Sequence, residues 1–535
     1  MIFHQVLALA LRNHGIRTMF GLIGDGNLFI VDSFTRQQGK YVSFAQESGA
    51  VLAAGAYSQV TNSVGVATVT HGPGLTNTVT ALIENVKGHT PLLLITGDTP
   101  AEDRRNIQNV DQRAVVLSAG GGFEQTRSPN TVEADLSEAI RRALAERRPV
   151  VLNVPAEYLW LDVPLSNVLR GPASPQYADA DPAVLDDAVG YIASAQRPVI
   201  IAGRGAIDPG SRDAILRLAD ALGAPVATTL RAKNLFRGYR YDLGICGTLS
   251  DPSSSEAIAK SDCIIVFGAG MHSRTTMAGE LVRPDKVIHV SDTVTDLNQW
   301  ESSRLGILGH PSCVASRMCE MLELLDTKPS RYAAEVMAPA SAGTVADPRD
   351  ELDGSGLNIR ATLRKLEASF PSSRSLVIDG GRVLRHAYPV LSVESPAHYV
   401  HSFSSGAIGL GMGTAIGAAA ACPERPVLLV CGDGSFMLDS LGEFNTAVRH
   451  QMDVTVVVLN DGSYGAEYVQ FERRGLAPGL SVFSWPDFAA VACALGGQGM
   501  TASTSAELDR ALAAIEGRDR PMLIDIKLNP SEISM

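Results

Sequence analysis

Val427-Leu428-Leu429-Val430-Cys431-Gly432-Asp433-Gly434-Ser435 is an unbroken apolar run that stops abruptly in small and acidic residues. A short apolar run bounded by glycine predicts a strand buried on both faces. Leu441, Phe444 and Val448 then share one face of a predicted helix, and a second run, Val454 to Leu459, ends in Asn460-Asp461-Gly462-Ser463. Strand, helix and strand make a right-handed βαβ unit, with both carboxyl ends on the sheet edge where open α/β sheets bind ligands. Asp433 and either Asn460 or Asp461 offer hard oxygens suited to Mg²⁺ or Ca²⁺, and Gly462 adds a carbonyl. Gly432 and Gly434 let a diphosphate approach the backbone at a helix N-terminus. Each half alone reads equally well as an ordinary strand end.

The same rhythm extends outward. Tyr41–Phe44, Val64–Val69 and Leu92–Ile95 are strand-like in the first third; Pro198–Gly203, Ala224–Thr229, Cys263–Gly268 and Lys286–Val290 repeat the pattern in the second. Leu376–Asp379 and Met522–Lys527 complete the third. Polar, Pro-containing stretches at Gly171–Pro182 and Asp326–Gly356 read as linkers. The expected organisation is α/β, three doubly wound parallel-sheet domains over residues 1–170, 184–325 and 356–535, with a linker at 326–355. A length of 535 residues fits about three domains.

Composition excludes several classes. Hydrophobic residues at 45% and charged residues at 19% supply ample core and rule out a disordered chain. A net charge of -12 argues against a nucleic-acid platform, which needs a clustered basic surface. The seven cysteines form no CxxC pair and read as reduced, mostly buried thiols of a soluble cytoplasmic protein. At the N-terminus, Ile2, Phe3, Val6, Leu7 and Ala10 fit a helix face and not a signal peptide. Ser395–Pro423 carries no charge, but its glycines suit a packed loop and helix better than a membrane span. No membrane and no nucleic acid are therefore expected as partners.

Gly432-Asp433-Gly434, followed after 25 residues by Asn460-Asp461-Gly462, resembles the thiamine-diphosphate motif of the acetolactate synthase and pyruvate decarboxylase superfamily, and the likeness spans the chain. The resemblance implies a pyrimidine-binding, a middle and a diphosphate-binding domain. It assigns Mg²⁺ to Asp433, Asn460 and the Gly462 carbonyl, although Leu459 stands where the family usually has the first Asn of a pair. It places Gly381, Arg382, Gly432, Gly434, Ser435, Ser463, Tyr464 and Gly465 around the cofactor. Glu47, in Phe44-Ala45-Gln46-Glu47-Ser48-Gly49, is by itself a plain helix N-terminal acid. The resemblance makes it the carboxyl group that shares a proton with N1′ of the aminopyrimidine and so favours loss of the thiazolium C2 proton. Gly406-Ala407-Ile408-Gly409 is similar to the segment that bends the cofactor, with Ile408 under the bend and the Gly406 carbonyl accepting from the 4′-amine. Because the family divides this site between subunits, the resemblance also implies a homodimer at minimum, extended to a homotetramer, with Glu47 acting in trans.

For the reaction, Gly24-Asp25-Gly26-Asn27-Leu28 resembles a substrate-facing segment of the decarboxylases, and Glu467 falls within a residue of their glutamate above C2. Ile107-Gln108-Asn109 and His71-Gly72-Pro73-Gly74-Leu75-Thr76-Asn77 instead resemble segments of the synthases. His71 reads equally as a proton shuttle or a hydrogen-bonded turn residue, and Glu467 as a catalytic acid or a solvated helix residue. The expected catalytic set is Glu47, Asp25, His71, Gln108 and Glu467, acting on a 2-oxo acid by decarboxylation, followed by protonation or ligation of the acyl-anion equivalent. A diketone hydrolase that cleaves a C–C bond is the alternative within the family. Gly203-Arg204-Gly205 and Gly268-Ala269-Gly270 form no full GxGxxG, so a middle domain without FAD is preferred to a flavin-bearing redox enzyme. A non-catalytic cofactor-binding subunit is disfavoured by the presence of the metal ligands and Glu47.

Overall fold

The computed structural model describes residues 1–103, 105–164, 179–298, 303–337, 357–382 and 384–528. The linker expected at 326–355 lies mostly outside them, as does most of 171–182. The second of these ends earlier than expected, because Asp181 caps the Ala183 amide at 2.9 Å and Pro182 already opens a helix, Pro182–Ala193. Pro at the first helical position loses no hydrogen bond.

Three six-stranded sheets are present among the described residues. Across the first the order is Lys40–Ser43, Thr18–Gly21, Gly65–Val69, Leu92–Asp98, Pro149–Pro155, Gly122–Gln125. The third reads Tyr399–His401, Ser375–Ile378, Val427–Gly432, Val454–Asn460, Met522–Lys527, Gln498–Ala502, which is the same topology. The middle sheet runs Leu305–Leu308, Val287–Ser291, Cys263–Phe267, Pro198–Ala202, Val226–Thr228, Asp242–Ile245. Central strands such as Val427–Gly432 and Val454–Asn460 pair in parallel and are buried along their whole length, so their sequences are continuous apolar runs and not alternations. Several strands escaped the sequence reading. Thr18–Gly21 is very short, and Pro149–Pro155 is bracketed by prolines and carries the buried polar Asn153.

The described residues within Met1–Ala173, Arg349–Ala387 and Val400–Met535 form one compact unit; those within Ser174–Pro348 and Tyr388–Tyr399 form another. In the first unit, five helices position the site: α1 (Glu47–Thr61), α2 (Val79–Lys87), α3 (Gly411–Ala421), α4 (Asp433–Arg449) and α5 (Gly465–Arg473). α1 and α3 are rich in Gly and Ala and pack backbone to backbone. A Cβ at Gly413 would lie 2.9 Å from the Gly49 carbonyl oxygen, and one at Gly417 would lie 2.2 Å from that of Ala53. The two helices thus start at the same end, bringing the turns that precede them close together. All seven cysteines are free, and Cys246, Cys263, Cys319 and Cys431 are buried. Among the described residues no helix is long and apolar enough to cross a membrane. The uncharged Ser395–Pro423 stretch divides into a 3-10 turn at Pro396–His398, a short strand, a loop and α3.

Candidate active site

The pairing register sets Gly432 opposite Leu459, so Asp433 and Asn460 leave neighbouring strands side by side at one sheet edge. Asp433 opens α4 and is buried; its Oδ2 accepts from Trp485 Nε1 at 2.6 Å. Burial, then the charge of Asp461, pushes its carboxyl up to about 7. Asn460 gives its amide NH₂ to Asp525 Oδ1 at 2.9 Å, and its own Oδ1 accepts from the Gly462 amide at 3.1 Å. That fixes the oxygen toward the turn. Gly462 has φ +68°, a conformation that admits glycine at little cost.

Asp461 is committed elsewhere. Its Oδ1 accepts from the Ser463 amide at 3.1 Å and hydroxyl at 2.9 Å, while Oδ2 pairs with Arg382 Nη2 at 2.9 Å. The choice between Asn460 and Asp461 that the sequence left open therefore tilts to Asn460. The residues fit a divalent cation: a buried carboxyl beside a second acid whose charge Arg382 already meets, an oriented amide oxygen and a carbonyl are the hard-oxygen donors Mg²⁺ takes.

The diphosphate-side residues gather around this turn. A Cβ at Gly434 would stand 2.5 Å from the Tyr464 ring, and one at Gly465 would stand 2.7 Å from Arg382 Nε, so both glycines are set by close approach. Ser435 donates to the Gly380 carbonyl at 3.3 Å, joining the α4 turn to the loop that carries Gly381 and Arg382. Tyr464, Phe483 and Trp485 form an aromatic tier, with centroids 4.7 Å apart at each step.

Ile408 lies over that same loop: a Cβ at Gly380 would fall 2.9 Å from its Cγ2. Gly406 and Gly409 have φ of +84° and +86°. The segment hangs on Asp379, a fully buried residue whose Oδ2 accepts from the Gly409 and Gly411 amides at 3.2 Å each. Burial pushes the Asp379 carboxyl up to about 7. Sequence reading used Asp379 only to mark a strand end.

Glu47 begins α1, half-buried, and accepts from Asn77 Nδ2 at 3.1 Å. The substrate-side candidates of the first domain converge at the carboxyl edge of its sheet. The His71 ring lies against Gly26, where a Cβ would be 2.6 Å from Nδ1, and that nitrogen is buried with no hydrogen-bond partner among the described residues. A Cβ at Gly72 would be 2.2 Å from the Gln108 carbonyl oxygen. Gln112 braces the cluster by accepting from the Gly72 amide at 2.8 Å and donating to the Gly97 carbonyl at 2.8 Å. Asp25 is exposed on the adjoining loop, which Asn27 folds by accepting from the Gly24 amide at 2.8 Å. Asp25, His71 and Gln108 are thus brought together. Glu467 is exposed in the first turn of α5, and no hydrogen bond or ion pair among the described residues joins it to the other three.

An Asp–Asn–carbonyl turn and a glycine cradle at the edge of the third sheet, with a carboxylate at a helix start in the first domain, are the parts of a thiamine-diphosphate-dependent enzyme. Residues 1–117 match the N-terminal TPP binding domain of the thiamine pyrophosphate enzymes, 185–318 their central domain and 379–526 their C-terminal TPP binding domain. The chain belongs to this family. It is similar to sulfoacetaldehyde acetyltransferase of Alcaligenes xylosoxydans xylosoxydans, 26% identical over 91% of this chain and 86% of the relative. It is similar also to the acetolactate synthase large subunit of Parasynechococcus marenigrum, 27% identical over 98% and 87%, and to acetolactate synthase of Arthrospira platensis, 27% identical over 98% and 93%.

Proposed function

We propose that the protein is a thiamine-diphosphate- and Mg²⁺-dependent lyase or carboligase that decarboxylates a 2-oxo acid, in the manner of acetolactate synthase. The observation that carries this reading is the register that sets Asp433 beside Asn460, with Arg382 and Asp461 paired next to them. Asp433, Asn460 and the Gly462 carbonyl hold the metal; Gly381, Arg382, Gly432, Gly434, Ser435, Ser463, Tyr464 and Gly465 surround the diphosphate. Gly406 and Ile408 shape the bend. When bound, the cofactor supplies a carbon nucleophile that adds to the donor carbonyl and accepts the electron pair released with CO₂. Glu47 holds a proton at the aminopyrimidine N1′. His71, Asp25 and Gln108 line the donor, and Glu467 delivers a proton to the product carbon.

Flavin is not part of this reading. In the middle domain the Gly203 and Gly205 amides already donate to the Phe267 and Gly268 carbonyls, at 2.8 and 2.9 Å. Those are backbone donors that a dinucleotide phosphate would need. Acetyl transfer, with sulfoacetaldehyde as donor, is a second reading that rests on the relatives' names. The assembly in the proposal is a cytoplasmic homodimer at minimum, extended to a homotetramer, with Glu47 serving the neighbouring subunit.

The test is an NMR product screen of the protein with thiamine diphosphate and Mg²⁺. It covers a panel of 2-oxo acids with and without aldehyde acceptors, plus sulfoacetaldehyde with inorganic phosphate as an acetyl acceptor and sulfite release as a second readout. Aldehyde or hydroxyketone products support the first reading; acetyl transfer from sulfoacetaldehyde alone supports the second. No conversion in any arm removes both.

A further inference from the structure

Two buried glutamates that neither the metal turn nor the substrate cluster uses occupy equivalent places in the first and third domains. The two sheets share one topology, and in each the glutamate lies on a helix between the third and fourth strands in chain order: Glu84 on α2 and Glu443 on α4. Each carboxylate reaches into the other domain. Glu84 accepts from the Ser404 and Ser405 amides at 2.7 Å each and from the Ser405 hydroxyl at 2.6 Å. Glu443 accepts from the Gln46 amide at 2.9 Å and the Ala45 amide at 3.4 Å. One turn earlier on α4, Asp439 accepts from the Ser48 hydroxyl at 3.0 Å. The segments so held are the start of the Gly406–Gly409 bend and the turn that presents Glu47.

We propose that Glu84 and Glu443 are reciprocal positioning residues: each domain lends a buried carboxylate that fixes the backbone segment through which the other serves the cofactor. This rests on the thiamine-diphosphate reading above. A carboxylate suits the task, because in each hydrogen bond across the two domains the glutamate is the acceptor, and an amide would turn its own NH₂ against a backbone N–H. The close α1–α3 contact explains why the clamps come as a pair. With backbones touching at Gly49–Gly413 and Ala53–Gly417, the two preceding turns cannot shift independently.

The experiment compares wild type with Glu443→Gln and Glu84→Gln. It reads thiamine diphosphate and Mg²⁺ affinity by tryptophan fluorescence, and separately the rate at which the bound cofactor's C2 proton exchanges in D₂O. The expected result is affinity within about threefold of wild type with exchange slowed roughly ten- to a hundredfold, the cost of a misplaced group. Two folded variants that exchange at the wild-type rate overturn the proposal. If either variant does not fold, Ser405→Ala removes a single donor, and an unchanged exchange rate there overturns it equally. A wild-type chain that binds no thiamine diphosphate fails differently, by removing the reading beneath it.

Discussion

Arg382 Nη2 and Asp461 Oδ2 lie 2.9 Å apart with both side chains almost wholly buried, an ion pair set directly beside the metal turn. Removing one partner strands the other charge in a low-dielectric site, which costs more than the pair itself contributes. Arg382→Ala should therefore destabilise the cofactor-free protein by about 3 kcal/mol. The double variant Arg382→Ala with Asp461→Asn should recover a large part of that loss in denaturant unfolding. A double variant as unstable as the single would contradict this account of the pair.

Asp433→Asn and Asn460→Ala should both abolish Mg²⁺-dependent binding of thiamine diphosphate. A chelator should do the same to the wild type, because the metal neutralises the diphosphate. Isothermal titration with and without Mg²⁺ checks this; binding that ignores the metal would refute the ligand set.

Glu47→Ala should remove most turnover, at least about a hundredfold, the range general acid–base groups supply, while the thermal midpoint stays close to wild type. Full activity in a folded Glu47→Ala protein would sink the assignment of Glu47.

Trp485 donates to the Asp433 carboxylate at 2.6 Å and stacks on Phe483, so metal binding at Asp433 should change its emission. Trp485→Phe keeps the stacking and loses the donor. Its fluorescence should no longer report Mg²⁺, and a retained signal would place the reporter elsewhere.

Burial raises the carboxyls of Glu443 and Asp379 to about 7 and that of Asp439 to about 6. Glu443 faces the Ala45 and Gln46 amides from the first domain, with Thr446 and Asp439 on its own helix. A carboxyl whose folded value lies above its unfolded one binds more protons when folded, so the stability it contributes is present at low pH and lost as pH rises through the folded value. The cofactor-free protein should lose roughly 2–5 °C of thermal midpoint between about pH 5 and 7.5. Glu443→Gln should flatten that fall, and an equal slope in both proteins would argue against Glu443 as a source.

The unit that carries the proposed metal and diphosphate site was legible because its residues are contiguous: strand, Gly-Asp-Gly, helix, strand and Asn-Asp-Gly all lie between Val427 and Ser463. Apolar runs between glycines also announced most central strands. Short or proline-bounded strands stayed hidden, since periodicity needs more residues than Thr18–Gly21 offers. Asp379 looked like a strand end, and Glu84 and Glu443 sit in helical sequence with no local motif to single them out. Their partners lie 30, 320 and 397 residues away, and no local pattern encodes a hydrogen bond across such a span.

The sequence by itself thus determined the α/β class, the family and the contiguous Asp433-to-Ser463 segment on which the proposed metal site rests, because those depend on residue type and local spacing. Tertiary structure alone decided that Asp461 pairs with Arg382 while the Asn460 oxygen accepts from the Gly462 amide, and that Gln46 and the Ser404–Ser405 segment are each held by a carboxylate from the other domain. Those outcomes depend on which buried donor meets which buried acceptor, and burial exists only once the sheets and helices have packed.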